Sequence, residues 1–290
     1  MISLNNAHEK FVDNLKQKGR ADATVIAYSK DIQQLVEHVK RSNLNLANEL
    51  KKEHIDTFLT NLSDNRYTKK TISRKINAIK TFFKYLIDEK IIENDPAQLI
   101  SHPKFEQSAP RILTKIEYRA LRDTVKEDVR TRAIVEILLQ TGLRISELAN
   151  IKLANIKMGN TEGQGSLEVE GTQTTPTRAI PLNTVVQEAI SSYMKDRPKT
   201  DLDFLFVTKT GNQLLVRNIR ATLARYFKQV GLDDVTVNDL RHTFVAEHLK
   251  RGASVLLVSK IAGHKRLTTT ENYLKYIERK ESGIGELEEL

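Results

Sequence analysis

The chain contains no cysteine. Disulfides, thiolate metal sites and a cysteine nucleophile are excluded together, and the composition fits a reducing compartment. No segment approaches ~18 consecutive apolar residues, and the opening MISLNNAHEKF has no apolar signal core. Neither a membrane span nor export is expected, which places the protein in the cytoplasm. No G-x-G-x-x-G or Walker-type phosphate loop occurs, and the seven histidines include no H-E-x-x-H pair. The expectation is therefore no cofactor and no metal. Internal repeats and low-complexity tracts are also lacking.

What is present is a sizeable core and an excess of positive charge. Apolar residues make up 39% of 290 residues, and the net charge is +9. That length favours two domains. Residues 1–104 carry 18 Lys/Arg against 13 Asp/Glu, and the remainder 28 against 24. A basic surplus in both halves points to a polyanion gripped from two sides.

The first hundred residues show helical periodicity. Val25, Tyr28, Ile32, Leu35 and Val39 recur on one face, and Ile55, Phe58, Leu59 and Leu62 on another. Thr71 to Asp88 is the clearest helix, with Ile72, Ile76, Ile79, Phe83 and Leu86 in one stripe. From Asn65 to Ile87 there is no acidic residue, while Lys69, Lys70, Arg74, Lys75, Lys80 and Lys84 are basic. A one-sign stretch repels itself unless an anion lies against it. These six residues are the candidate contacts to DNA phosphates, where each cation releases condensed counterions.

Asn94-Asp95-Pro96 ends the helical region. The span Ser101 to Leu113 holds two prolines and little periodicity, which marks a linker. Domains are expected at 1–103 and 112–290, joined by 104–111. Thr114 and Glu117 form a capping-box pattern at the start of the second domain. Leu167 to Glu170 and Arg178 to Leu182 are strand-like and predict a hairpin. Helices are expected around Thr131–Thr141, Thr184–Met194, Arg217–Val230, Arg241–Lys250 and Val255–Ile261.

Four local features carry chemistry. Arg144 follows Gly142 in TGLRISEL, with Glu147 placed to orient it; a guanidinium fork matches a phosphate. Arg241 and His242, in NDLRHTF, are placed at the opening of a helix whose N-terminus attracts anions. His264 follows Gly263, a candidate left-handed helix cap. Tyr273 comes nine residues after His264, and periodicity does not separate it from Tyr276. Taken singly, each is an ordinary structural residue.

Taken in order, TGLRISEL, NDLRHTF and AGHKRLTTTENY resemble the tyrosine recombinase (phage integrase) family. The resemblance spans the chain. TVIAYSKDIQQL and TISRKINAIKTFFKYLIDEKIIENDPA are similar to the helical core-binding domain of its Xer-type members, and residues 114–290 to their catalytic domain. The resemblance implies a mainly α fold with a small antiparallel sheet, in two domains forming a C-shaped clamp. No further arm-binding domain is expected before the bundle. It implies site-specific recombination through a 3′-phosphotyrosyl intermediate, without metal or ATP. Tyr273 would be the nucleophile, and Arg144, Arg241 and His264 would hold the phosphate. Implied partners are double-stranded DNA with paired inverted half-sites and further copies of the chain, a dimer per site and a tetramer in the synapse, at the nucleoid. A C-terminal tail, from Lys275 to Leu290, would dock on a neighbouring copy.

Two positions depart from the family pattern. Asn238 stands where the family has a histidine. It can hydrogen-bond a phosphate but cannot act as acid or base near pH 7. The hairpin lysine that protonates the leaving oxygen would fall near Thr172 or Gln173, yet no Lys or Arg occurs from Met158 to Thr177. Lys157 and Arg178 are the candidate substitutes. A recombinase-derived DNA-binding protein with weak or no cleavage is the competing expectation.

Overall fold

The computed structural model describes residues 2–105, 108–159, 165–172 and 175–277. Contacts divide the chain into two compact units, Met1–Gln107 and Ser108–Leu290.

The first unit is helical: α1 (Leu4–Gln17), α2 (Asp22–Lys40), α3 (Lys52–Asp64) and α4 (Lys69–Asp88), with a 3-10 turn at Ala47–Glu49. Side chains start two of the helices. Ser3 accepts from the Asn6 N–H at 3.3 Å, and Thr68 from the Thr71 N–H at 3.2 Å. The stripe foreseen on α4 faces inward, since Ile72, Ile76, Ile79, Phe83 and Leu86 are all buried. Helix α1 was not singled out from sequence, although Leu4, Ala7, Phe11 and Leu15 recur at helical spacing and are buried. Phe11 packs edge-on against Phe82.

The second unit contains α5 (Lys115–Thr124), α6 (Val129–Thr141), α7 (Ile145–Ala149), β1 (Ile156–Lys157), β2 (Gly165–Val169), β3 (Arg178–Leu182), α8 (Thr184–Asp196), α9 (Val216–Gln229), α10 (Val237–Lys250), α11 (Val255–Ala262) and α12 (Leu267–Glu271), then a 3-10 turn at Asn272–Tyr276. The strands form one antiparallel sheet in the order β1-β2-β3, with Leu167 opposite Ile180 and Val169 opposite Arg178. Strand β1 is two residues long and carries no periodic signal. The capping box at Thr114 and Glu117 is formed. Helix α6 is the core element, with Ala133, Val135, Ile137 and Leu138 fully buried between α8 and α10.

One helix start differs from expectation. Helix α10 begins at Val237, so Arg241 and His242 sit in its second turn and not at its N-terminus. Thr236 and Asp239 cause this: the Asp239 carboxylate accepts from the Thr236 N–H and hydroxyl, both at 2.7 Å. Most of the tail expected to dock on a neighbour, residues 278–290, lies outside the described residues, as does Gln173. Among the described residues, no helix is long and apolar enough to cross a membrane, and no group of His, Asp and Glu is placed to hold a metal.

Candidate active site

Helix α6 ends at Gly142 in the left-handed conformation, φ +63°. That turn places Arg144 at the N-cap of α7. Glu147, one turn on, accepts from the Arg144 backbone N–H at 2.8 Å and from its Nη1 at 3.1 Å. The same carboxylate accepts from both Nη atoms of Arg178, at 3.0 and 2.9 Å. Burial alone would raise the Glu147 pKa. The Arg178 hydrogen bonds, the Arg144 N–H and both positive charges outweigh it and hold the group below its ordinary value.

The end of α11 gathers three guanidinium groups. Arg178 Nε donates to Ile261 O at 2.8 Å, Arg241 Nη1 to Ala262 O at 2.7 Å, and Arg144 Nη2 to Gly263 O at 2.8 Å. These carbonyls lie at the negative end of a helix, where cations are stabilised. Gly263 makes the left-handed cap, φ +69°. A Cβ there would come within 2.7 Å of the Arg178 guanidinium carbon. The next residue is His264, and its Nδ1 lies 2.7 Å from the Thr270 hydroxyl. Burial first, then the charges of Arg241 and Arg144, push its pKa down to about 4. His264 is therefore neutral at pH 7.

Arg241 is only 5% exposed. Its Nη1 also donates to Gly142 O at 2.5 Å, so one nitrogen ties the end of α6 to the end of α11. Burial, with Arg144 nearby, lowers its pKa to about 10, which leaves it protonated at pH 7. Among the described residues, Nη2 and Nε of Arg241 remain for an anion.

Tyr273 is 7% exposed, whereas Tyr276 is 43% exposed. The 3-10 turn after α12 thus separates two tyrosines that periodicity could not. The Tyr273 ring lies nearly parallel to His264, with centroids 6.4 Å apart and planes at 14°. Its Oη is 2.5 Å from His242 Nδ1, and Asn238 Nδ2 is 2.7 Å from His242 Nε2. Burial raises the phenol pKa, and Arg241 partly opposes this.

The structure thus brings Arg144, Asn238, Arg241, His264 and Tyr273 together. Of the basic residues on α4, Lys69, Lys70, Arg74 and Lys84 are exposed and Lys80 half-buried. Lys75 is a correction. It is 3% exposed, and its Nζ donates to Asp31 at 2.8 Å and to Gln34. Arg74 also pairs with Asp31. The anion that offsets part of this one-sign helix is a buried carboxylate on α2, which helical spacing within α4 could not show. Arg178 is a second correction. Bound to Glu147 and Ile261, it braces the site and is not placed to be an acid. His242 was noticed in sequence without a role. Helix α9 was expected as a helix, but its charge was not singled out: it carries Arg217, Arg220, Arg225 and Lys228 and no acidic residue. Its Arg220 lines a groove of about 640 Å³ together with Arg144 and Asn238. The charge rule applied to α4 could have found it.

A buried tyrosine thus lies beside Arg241 and a neutral histidine, with Arg144 held on the same turn and no metal cluster among the described residues. Comparison with known proteins defines the class. Residues 111–279 match the phage integrase family, and residues 9–90 match the phage integrase N-terminal SAM-like domain. The chain belongs to the phage integrase family and is a tyrosine-type site-specific DNA recombinase. It is 32% identical over 285 residues to the tyrosine recombinase XerC of Staphylococcus aureus (strain bovine RF122 / ET3-1), covering 93% of this chain and 92% of that protein. Among solved structures its fold is similar to a lambda integrase dimer bound to a COC′ core site, with TM-score 0.77 at 18% identity, over 98% of this chain and 81% of that one. It is likewise similar to XerH site-specific recombinase in a post-cleavage complex with palindromic difH substrate, with TM-score 0.75 at 18% identity, over 91% and 81% of the two chains.

Proposed function

We propose that this recombinase cleaves DNA with Tyr273. The phenol oxygen attacks a backbone phosphorus, a 3′-phosphotyrosyl bond forms, and the 5′-oxygen leaves. The bond to tyrosine conserves the ester, so the 5′-hydroxyl of a partner strand can displace it without ATP. Arg144 and Arg241 offset the charge that builds on the phosphoryl oxygens. With the Thr270 hydroxyl donating to Nδ1, neutral His264 offers its Nε2–H to the same phosphate. The single observation that carries this reading is the triple anchoring of the turn at residues 261–263. It fixes two guanidinium groups and His264 around one tyrosine before any DNA arrives.

The domain roles follow. Residues 1–103 bind DNA through the exposed lysines of α4, the linker spans 104–111, and residues 112–290 hold the chemistry and add α9 as a second basic surface. Two copies occupy paired inverted half-sites and two such dimers form the synapse, at chromosomal DNA in the cytoplasm. Without a lysine between Met158 and Thr177, and with Arg178 tied to Glu147, protonation of the leaving oxygen falls to solvent or to exposed Lys157 on β1, which makes cleavage slow. Acid–base assistance is typically worth ~10²–10⁴-fold. A binder without chemistry is not favoured, because the relatives are recombinases and the cleavage residues are assembled.

The test is a nicked suicide DNA substrate that traps the covalent intermediate. The wild-type chain should form an adduct that survives denaturing gels, and Tyr273→Phe should form none. Failure to form adduct at any enzyme concentration would overturn the reading.

A further inference from the structure

Asn238 cannot serve as an acid or base, yet the Tyr273 phenol has to lose a proton to attack. The residue that touches its oxygen is His242, one helical turn beyond Asn238 on the same face of α10. We infer that His242 is the catalytic base that takes the Tyr273 proton and that Asn238 is the positioning residue that holds it. The inference rests on Tyr273 being the nucleophile.

The geometry is a linear relay: Asn238 amide, His242 Nε2 at 2.7 Å, His242 Nδ1, Tyr273 Oη at 2.5 Å. Both ring nitrogens are thus occupied, one by a fixed amide and one by the reacting hydroxyl. An asparagine amide presents Nδ2 on one edge and Oδ1 on the other. The atom placed against Nε2 is Nδ2, and a half-turn of the amide, which exchanges two atoms of nearly equal size, puts Oδ1 there. With Oδ1 accepting from Nε2–H, Nδ1 is unprotonated and accepts from the phenol. The same contact then supports the imidazolium once the proton has moved. Asn238 in this way replaces acid–base capacity by tautomer control. The other histidine near the ring, His264, is not placed for this task. Its Nδ1 is on Thr270, and its ring lies parallel to the tyrosine ring instead of pointing at Oη.

The charges around His242 suit a base that must not be protonated in advance. Arg241 and Asp239 lie on its own helix, Tyr273 on the final 3-10 turn, and His264 on the loop after α11. Burial lowers its pKa, Asp239 opposes that, and Arg241 adds to it. His242 is thus biased toward the neutral imidazole, with one ring nitrogen open to accept, and it faces a phenol whose own pKa is raised by burial.

The step balances as follows. The Tyr273 O–H bond breaks, its proton goes to His242 Nδ1, and the oxygen electron pair forms the O–P bond. The P–O5′ bond breaks, and the leaving oxygen takes a proton from water. In the religation step a 5′-hydroxyl attacks, its proton passes to water, and the departing tyrosine oxygen recovers its proton from the His242 imidazolium.

The experiment is single-turnover cleavage of the nicked substrate by the full chain from pH 5 to 9. His242→Ala and His242→Asn are compared with wild type, after equal DNA affinity and equal melting temperature are verified. Asparagine at 242 keeps a hydrogen bond to the phenol but cannot carry its proton. Both variants should cleave ~10²–10⁴-fold more slowly, and both should lose the acidic limb of the wild-type profile. Replacing the leaving 5′-oxygen by sulfur, which needs no proton, should speed wild type and leave the variants' deficit in place. Wild-type speed in His242→Asn would overturn the proposal, as would rescue of either variant by the sulfur substrate. Those outcomes leave Tyr273 untouched, since its adduct still forms. Absence of adduct in wild type overturns the nucleophile assignment and this inference together.

Discussion

Glu147 is the residue on which two arginines depend. It is the carboxylate partner of buried Arg178 and the anchor of Arg144. Removing one member of a buried ion pair leaves the other charge uncompensated and costs about 3–5 kcal/mol. Glu147→Ala should therefore lower the urea midpoint strongly and slow adduct formation, because Arg144 loses its fixed orientation. Its folded pKa is depressed, so the stability it confers is present above the ordinary carboxylate range and is lost as pH falls through the folded value. His264 acts in the same direction. Its folded pKa is about 4, against 6.5 in the unfolded chain. Between those values the unfolded chain binds a proton that the folded chain does not, so stability rises with pH across that window. Urea denaturation of His264→Gln at pH 4 to 7 should show a flatter pH dependence than wild type. An unchanged slope would mean His264 is not buried among these cations. At this scale Arg144, Arg241, His264 and Tyr273 were readable as an ordered pattern of residue types. The work of Arg178 and His242 was not, because it depends on contacts with residues 31 positions away in each case.

At the scale of elements, the site is made by helix ends. Gly142 and Gly263 end α6 and α11 in left-handed turns, and the carbonyls those turns expose hold the arginines. A side chain at 142 would meet the Phe244 ring at 2.3 Å, with φ at +63°. Left-handed backbone costs an L-residue about 1–2 kcal/mol, and overpacking adds about 1–3 kcal/mol. Gly142→Ala should lower the melting temperature by several degrees and weaken cleavage too, since Gly142 O receives Arg241. In the first unit, Asp31 is the comparable element-level tie, joining α2 to α4 through Lys75. Asp31→Ala should destabilise that unit by about 3–5 kcal/mol, as read by chemical denaturation. Helix faces and the two glycine caps were legible because they follow from local spacing. The start of α10 was misplaced because the reading began at Arg241 and His242, whereas the capping box of Thr236 and Asp239 and the buried Val237, Leu240 and Phe244 carry the helix back one turn.

For the whole molecule, the relevant quantity is the salt dependence of DNA binding. Each phosphate neutralised contributes a slope of about 0.9 in log K against log salt. Lys69→Ala, Lys70→Ala and Arg220→Ala should each reduce the slope by about one contact. Lys75→Met should leave it unchanged, because that ammonium is spent on Asp31. A slope change in Lys75→Met would mean that this ammonium reaches DNA.

The amino-acid sequence by itself determined the class of chemistry. The absence of cysteine, the basic surplus and the order of two arginines, a histidine and a tyrosine are properties of residue identity and spacing, and need no coordinates. Only the tertiary structure decided which tyrosine is enclosed, which lysine is turned inward, that Arg178 is a brace and that His242 meets the phenol. The physical reason is that burial and hydrogen bonding across tens of residues are set by how α6, α10, α11 and the last turn pack, and periodicity within one element carries no information about its partner.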